Sequence, residues 1–291
     1  MKKLIFLLFA FSALQLAAQD TPAEPDTTRL WQVVTVDGNQ YYGKILSRDG
    51  EAIRLKTETV GVITIPVRNV KTIKAVEGRL VAAGDLWADN PQSTRYFWSP
   101  NGYGLKPGEG YYQNIWIFFN QVSVGLTENA SIGFGMVPLF LFAGTPSPVW
   151  ITPKVSIPVV ENKFNIGAGA LVGTVLGDSG GGFFGIAYGT GTIGSRDKNL
   201  TLGLGYGFAD GEWARRPAVS ISGMLRTGKK GYLLTENYIL DFGTTSGALI
   251  SVGGRTVWDK VSLDYGGIIP AGDVGTVIII PWLGISISFG K

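Results

Sequence analysis

The sequence predicts an all-β protein. Its larger part is a transmembrane antiparallel up-and-down β-barrel of about twelve strands, preceded by a small five-stranded β-domain. Three observations predict this fold: the composition, an alternation of residue size along many short segments, and a regular series of turns. Glycine accounts for 42 of the 291 residues and aromatic residues for 12%, while charged residues make up only 16%. This composition is typical of packed strands, and it excludes a disordered chain, which needs low hydrophobicity and high net charge.

The alternation of residue size is clearest in two segments, "LTLGLGYGF" (200–208) and "FNIGAGALVGTVL" (164–176). In both, large apolar residues share one face, and glycine, threonine and asparagine are common on the other. A sheet in a soluble protein would carry charged residues on its outer face. The scarcity of charge favours a barrel whose outside contacts lipid and whose interior is polar.

The turns form a hairpin repeat. Short charged turns centred at residues 128, 162, 197, 229 and 259 lie 30 to 35 residues apart, and loops rich in glycine and proline fall between them. Outer-membrane barrels show this asymmetry, with short turns at the periplasmic end and longer loops outside.

The strand count follows from these turns. They mark eleven strands from 111 to 289, with 111–127 as one long strand that has a bulge near Asn120. Bacterial barrels have an even number of strands, so segment 93–99 ("STRYFWS") is predicted as a further first strand of a barrel spanning 93–291. Ten strands is the alternative.

The N-terminal residues indicate export. Residues 1–19 have the basic start, apolar run and small residues of a secretory signal peptide, and 20–29 is a polar spacer. The mature chain has a net charge of about +1, which gives nucleic acid no electrostatic attraction. The chain contains no cysteine, so disulfides and thiolate metal sites are excluded.

Residues 30–80 read as five short strands separated by tight turns such as Asp37-Gly38 and Asp49-Gly50. The strand order resembles a Sm-like or SH3-like small barrel. The resemblance implies binding of RNA or peptides, but we favour a periplasmic adaptor or spacer domain whose partner is a protein or peptide. A linker at 81–92 joins it to the barrel.

The last strand looks like the C-terminal signal that the barrel-assembly machinery recognises in outer-membrane proteins, although its aromatic residue is not the final one. Tryptophans at 98, 150 and 282 fall near inferred strand ends, where an interfacial girdle is expected. As a whole the chain resembles outer-membrane barrels that carry a Sm-like module, which implies contact with outer-membrane lipid and two periplasmic termini but no particular activity. The residues of the terminal signal are Leu283, Ile285, Ile287 and Phe289.

Two motifs resemble enzyme sites. "GDSGG" (177–181) resembles the surroundings of a nucleophilic serine, Ser179, but the chain contains no histidine to activate it. "GTGTIG" (189–194) fits a dinucleotide-binding pattern, yet it lies within a strand instead of opening a helix. We therefore expect no catalytic residues, no cofactor and no metal.

Five charged residues lie within predicted membrane-spanning strands. At mid-bilayer, a lysine or arginine exposed to lipid costs about 2–4 kcal/mol, and four of these residues share strand faces with serine or glycine, so we place them in the lumen. We place Glu236 with them, although the neighbouring Asn237 leaves the phase of its strand ambiguous. They form either a charged constriction that governs passage or a set of ion pairs that fills a narrow barrel. The residues are Lys154, Arg226, Glu236, Arg255 and Asp264.

These observations predict a non-enzymatic outer-membrane barrel that acts as a small-solute channel or gated pore, or as an envelope-organising protein. One alternative is an envelope enzyme that acts on lipid or glycan through lumen carboxylates such as Glu236 and Asp264. Another is a soluble secreted β-protein with a ligand cavity, which requires the large apolar faces to point inward.

Overall fold

A computed structural model gives the fold. The chain divides into two compact units, one that ends at Asp89 and one that begins at Asn90. The signal peptide, nearly all of the polar spacer and Ser179 lie outside the described residues. The structure describes residues 29–76, 78–80, 86–177, 182–241, 246–272 and 278–290.

The N-terminal unit contains a five-stranded antiparallel sheet of order β4-β3-β2-β1-β5, which confirms the predicted strand number. Its kinship with Sm-like or SH3-like barrels stays a prediction. The buried side chains of Val33, Ile45, Ile53, Leu55 and Ile65 form its core. The strands are β1 (Leu30–Thr35), β2 (Gln40–Arg48), β3 (Ala52–Lys56), β4 (Val62–Pro66) and β5 (Val70–Val76), with a 3-10 helix at Val67–Asn69; a short ribbon of β6 (Arg79–Leu80) and β7 (Leu86–Trp87) follows.

Local chemistry explains the turns and the tight packing of this sheet. The carboxylate of Asp49 accepts hydrogen bonds from the backbone N–H groups of Ala52 (2.7 Å) and Glu51 (2.8 Å). These bonds stabilise the charged form and lower the pKa of Asp49. Gly43 lies so close to the neighbouring strand that a Cβ there would be 2.3 Å from the carbonyl oxygen of Lys56. Only glycine fits at this position.

The second unit is a closed antiparallel barrel of twelve strands, which confirms the predicted transmembrane barrel. The segments β11 and β12 count as one strand, because both lie between β10 and β13 and are separated only by Thr152 and Pro153. The ring closes where β21 pairs with β8, with Ile287 opposite Tyr112. The strands are β8 (Gly110–Ile115), β9 (Phe119–Gly125), β10 (Ala130–Met136), β11 (Ser147–Ile151), β12 (Lys154–Val160), β13 (Phe164–Leu176), β14 (Phe183–Gly194), β15 (Lys198–Ala209), β17 (Ala218–Arg226), β18 (Gly231–Asp241), β19 (Ser246–Trp258), β20 (Val261–Ala271) and β21 (Ile280–Phe289), with a short β16 (Glu212–Trp213) against β15.

Two strand predictions were wrong. Segment 93–99 is not a barrel strand: its one backbone pairing in the described chain is an isolated bridge between Arg95 and Pro100. The predicted long strand 111–127 is two strands, β8 and β9, joined by a tight turn at Trp116 and Ile117, whose φ angles are 50° and 68°. A turn of this kind normally uses glycine, asparagine or aspartate, so the residues gave no turn signal.

The outer face of the barrel is apolar, whereas many residues of its inner face are small or polar. On β15, Leu200 and Leu202 are 57% and 56% exposed, whereas Thr201 between them is 1% exposed. The outward direction of the large residues contradicts the soluble secreted alternative, which required them to form an internal core. It matches a barrel in contact with lipid.

The two ends of the barrel differ. The five predicted charged turns all lie at one end of the barrel, where each joins two consecutive strands. Since the strand number is even, β8 begins and β21 ends at this same end. We call this the turn end and the opposite one the loop end. A five-residue helix, α1 (Pro138–Phe142), lies at the loop end. Within the described ranges, no helix is long and apolar enough to cross a membrane.

Removal of Leu30 to Val76 is expected to leave the barrel intact, because the strand ring and its ladder involve no residue of that segment. The measurement is gel mobility in SDS with and without boiling, for the mature protein in detergent. Both the full chain and the deletion variant should resist SDS until heated and then change mobility.

The matched control removes Ile280 to Phe289, the strand that closes the ring against β8. This variant should run at the same position with and without heating. A deletion of Leu30 to Val76 that behaved in the same way would contradict the division into two units.

Candidate functional site

The barrel lumen is occupied by the chain segment that precedes the first strand. Residues 90–109, here called the plug, form no strand, and Arg95, Tyr96 and Phe97 are each no more than 1% exposed. Sequence reasoning assigned part of this segment to the barrel wall. A plug that packs against a wall contains the same mixture of small and large residues as a barrel strand. The residues of "STRYFWS" therefore do not distinguish the two.

An ion-pair network joins the plug to strands β19 and β20. The carboxylate of Asp264 accepts a hydrogen bond from Nη1 of Arg95 (2.8 Å) and two from Arg255, from Nε (2.5 Å) and Nη2 (2.9 Å). Arg255 also donates from Nη1 to the carbonyl oxygen of Gln92 (2.7 Å) and from Nη2 to that of Tyr96 (2.5 Å). Two guanidinium groups therefore share one buried carboxylate, and both also donate to backbone carbonyl oxygens of the plug.

Glu236 on β18 holds the middle of the plug. Its Oε2 accepts the backbone N–H groups of Trp98 and Ser99, both at 2.9 Å, and its Oε1 accepts the hydroxyl of Tyr238 at 2.8 Å. A carboxylate that accepts three hydrogen bonds compensates for the loss of its hydration. It also fixes the direction of the plug backbone at this point.

Two further basic side chains bind the C-terminal half of the plug. Lys154 on β12 donates to the carbonyl oxygen of Tyr103 at 2.5 Å. Arg196, in the turn between β14 and β15, donates to Oγ of Ser93 (2.8 Å) and to the carbonyl oxygen of Gly104 (3.1 Å), and its guanidinium lies 4.8 Å from the centre of the Tyr103 ring. Sequence reasoning treated Arg196 as part of a solvent-facing turn and missed this role.

Arg226 lies apart from these contacts. It is the last residue of β17, where it pairs with Asp197 at 3.1 Å, and its guanidinium lies 5.3 Å from the centre of the Tyr232 ring. Of the five charged residues predicted for the lumen, Lys154, Glu236, Arg255 and Asp264 each hydrogen-bond the plug. Arg226 instead stabilises the turn end of the wall.

The wall also offers hydroxyl and amide groups to the plug. The hydroxyl of Tyr96 donates to Oδ1 of Asn199 (2.6 Å) and is hydrogen-bonded to the hydroxyl of Thr201 (2.6 Å). The N–H of Gly102 donates to Oγ1 of Thr192 (2.7 Å). A Cβ at Gly102 would lie 2.6 Å from the carbonyl oxygen of Asn165, so the plug approaches the wall here at backbone distance.

The rest of the plug packs against aromatic and aliphatic side chains. Tyr96 and Phe97 join a buried cluster with wall residues that include Trp282, and the Trp98 ring lies 5.9 Å from that of Trp150. The predicted girdle positions of Trp98, Trp150 and Trp282 were therefore wrong. Trp150 and Trp282 are buried in the lumen, and Trp98 packs inside it.

A cavity of about 290 Å³ remains between the plug and the wall on the side of β9 to β17. It lies at the lower limit of volumes usual for small-molecule sites. Among the described residues no group of three or more histidine, cysteine, aspartate or glutamate side chains could hold a metal ion.

Comparison with known proteins gives only distant similarities. No protein-family model matches the sequence, and no curated protein matches it. A solved KdgM porin aligns with 62% of this chain and 98% of its own at 10% identity and a TM-score of 0.44. A structure titled "Outer-membrane expressed OmpT of Vibrio cholerae" aligns with 90% of this chain and 95% of its own, at 10% identity and a TM-score of 0.33. Similarity at this level carries no information on what this chain binds or transports.

Substitution Asp264→Asn is expected to lower the free energy of unfolding by about 3–5 kcal/mol, because it leaves two buried guanidinium groups without a counter-charge. Arg95→Met should cost less, since Arg255 and Asp264 then remain as a neutral pair. The measurement is denaturant unfolding of the detergent-solubilised protein, followed by tryptophan fluorescence.

The control is Asp259→Asn, which changes an exposed turn residue of the same type and should leave the free energy of unfolding unchanged within about 0.5 kcal/mol. Equal destabilisation by Asp264→Asn and Arg95→Met would contradict a network centred on the shared carboxylate.

Proposed function

We propose that this protein is a gated channel for small solutes in the bacterial outer membrane, and that the plug is its gate. One observation carries the proposal: the twelve-strand ladder closes without any contribution from residues 90–109. The element that fills the lumen is therefore separate from the element that forms the wall. If the segment in the lumen served only to stabilise the barrel, it would not need to be separate from the strands that form the wall.

The chemistry of the plug contacts supports a reversible gate. The plug is held by hydrogen bonds and ion pairs between its backbone or side chains and groups on the wall. When such bonds are exchanged for bonds to water, each neutral hydrogen bond changes the free energy by about 0.5–1.5 kcal/mol and each bond to a charged group by about 1.5–3 kcal/mol, so water compensates for most of what is lost. Because the wall facing the plug carries threonine, asparagine, serine and charged side chains, water can wet it once the plug has moved.

The same proposal assigns an orientation. We place the turn end in the periplasm, where the short turns of outer-membrane barrels lie, so both ends of the barrel chain are periplasmic. The N-terminal unit then lies on the same side and precedes the plug directly in the chain. A periplasmic protein or peptide that binds residues 30–80 would act on the gate through this connection.

The apolar outer face of the last strand supports the proposed location in the outer membrane. Leu283, Ile285 and Ile287 are 55%, 41% and 43% exposed on the outside of β21, and Phe289 continues the same face. In the proposal, this apolar row contacts lipid in the finished barrel and is the segment that the assembly machinery binds before closure.

The proposal includes no enzymatic step. The alternative of an envelope enzyme relied on Glu236 and Asp264, but each of these carboxylates already accepts three hydrogen bonds within the lumen. A general acid or base needs an atom within reach of substrate. Their engagement supports a positioning role for both residues.

The test is conductance in planar lipid bilayers after residues 91–106 have been replaced by a glycine-serine linker of equal length. The wild-type protein is expected to be closed for most of the recording, whereas the replacement should give a steady open conductance. Heat-dependent mobility in SDS verifies that the variant barrel is folded.

The matched control removes Leu30 to Val76 and keeps the plug, and this variant should stay closed, because groups on the wall strands hold the plug. If the folded replacement variant shows no conductance, the gate assignment is wrong. A wild-type protein that conducts as strongly as the replacement variant would also contradict it.

A further inference from the structure

The cavity beside the plug has an unusual electrostatic composition. The charged residues that line it are Lys154 and Arg95, and no carboxylate lines it. Arg95 is ion-paired with Asp264 at 2.8 Å, a carboxylate that it shares with Arg255. Lys154 donates to the carbonyl oxygen of Tyr103, and within the described chain it makes no ion pair. A half-buried ammonium group beside a cavity, with no counter-charge, attracts an anion.

The strand register brings hydroxyl groups to the same place. Across the wall, Ser131 pairs with Lys154, Lys154 with Gly169, and Gly169 with Tyr188. Since directly paired residues point to the same face of a sheet, these side chains form one transverse row that faces the cavity. Thr152, two residues before Lys154, also lines it.

Gly169 lets two of these groups converge. A Cβ at this position would lie 2.6 Å from the hydroxyl oxygen of Tyr188, so the tyrosine side chain extends over Gly169 toward Lys154. Tyr188, Ser131 and Thr152 all line this cavity, as Lys154 does, so their hydroxyl groups share one space with its ammonium group. One ammonium group and three hydroxyl groups are therefore available at one wall of the cavity.

The other residues that line the cavity indicate which kind of chemical group would pack beside the carboxylate of an anionic ligand. Trp98 from the plug and Leu171 and Ile186 from β13 and β14 give an apolar surface beside the polar row. A cavity of about 290 Å³ holds on the order of ten non-hydrogen atoms at about 30 Å³ for each water-sized group. We infer that the lumen contains a binding site for a small organic monocarboxylate, with the carboxylate at Lys154 and Tyr188 and the apolar body against Trp98.

This inference deepens the proposed function by naming a solute class, but it rests on the closed lumen alone. It requires no movement of the plug. Failure of the conductance experiment would leave the site standing, and failure of ligand binding would leave the gate standing.

The experiment is calorimetric titration of the detergent-solubilised full-length protein at low ionic strength with benzoate and with its neutral counterpart benzamide. Benzoate should bind about tenfold or more tightly than benzamide, because a hydrogen bond to a charged group contributes more than a neutral one. Lys154→Met should abolish this difference, and Tyr188→Phe should weaken benzoate binding several-fold with little effect on benzamide.

The matched control is Lys163→Met, which removes an exposed lysine from the turn between β12 and β13 and should bind benzoate as the wild type does. Heat-dependent mobility in SDS shows that each variant is folded. Equal affinity for benzoate and benzamide, no binding of either, or equal losses from Lys154→Met and Lys163→Met would each overturn the inference.

Discussion

The barrel depends on one constraint: every strand separates two different surroundings, so neighbouring residues must satisfy opposite requirements. The outer residue contacts lipid and is large and apolar, as Leu200 and Leu202 are. The inner residue must be small enough to leave room and polar enough to pair with whatever enters the lumen, as Thr201 is. The same alternation that produces an apolar exterior thereby produces an interior that can bind a polar chain segment.

Inside that wall, Asp264 has a position that no other described group shares. It forms ion pairs with both Arg255 on the adjacent strand and Arg95 on the plug, so wall and plug depend on one carboxylate. Glu236 acts differently, because its partners on the plug are backbone N–H groups. The Asp264 contact thus depends on the identity of a plug side chain, whereas the Glu236 contact is insensitive to sequence and requires only the correct backbone path.

The sequence allowed the wall to be predicted much more fully than its contents. Alternation and charged turns are local signals, and they identified the barrel and eleven of its strands, whereas the number twelve came from the rule that bacterial barrels have an even strand number. The plug has no periodicity of its own, so "STRYFWS" was assigned to the nearest available element, a strand. The turn at Trp116 and Ile117 lacks the residues that usually adopt positive φ. The roles of Arg95 and Arg196 were hidden for a related reason: Arg95, the plug partner of Asp264, and Arg196, which binds the plug from a turn, both lie where strand parity does not apply.

The seam between the first and last strands shows a consequence of the plug contacts. Gln92 donates to the hydroxyl of Ser288 and Arg95 to that of Ser286, both on β21, while Gln113 on β8 donates to the carbonyl oxygen of Phe97. The backbone hydrogen bonds between β8 and β21 do not depend on which side chains the strands carry. If β21 slipped by two residues along β8, the same residues would still face the lumen and the lipid. Such a slip would move Ser286 and Ser288 by roughly 7 Å along the strand and break both bonds. The plug contacts therefore favour the correct register between β8 and β21 in addition to the backbone ladder, and unlike the ladder they depend on particular side chains.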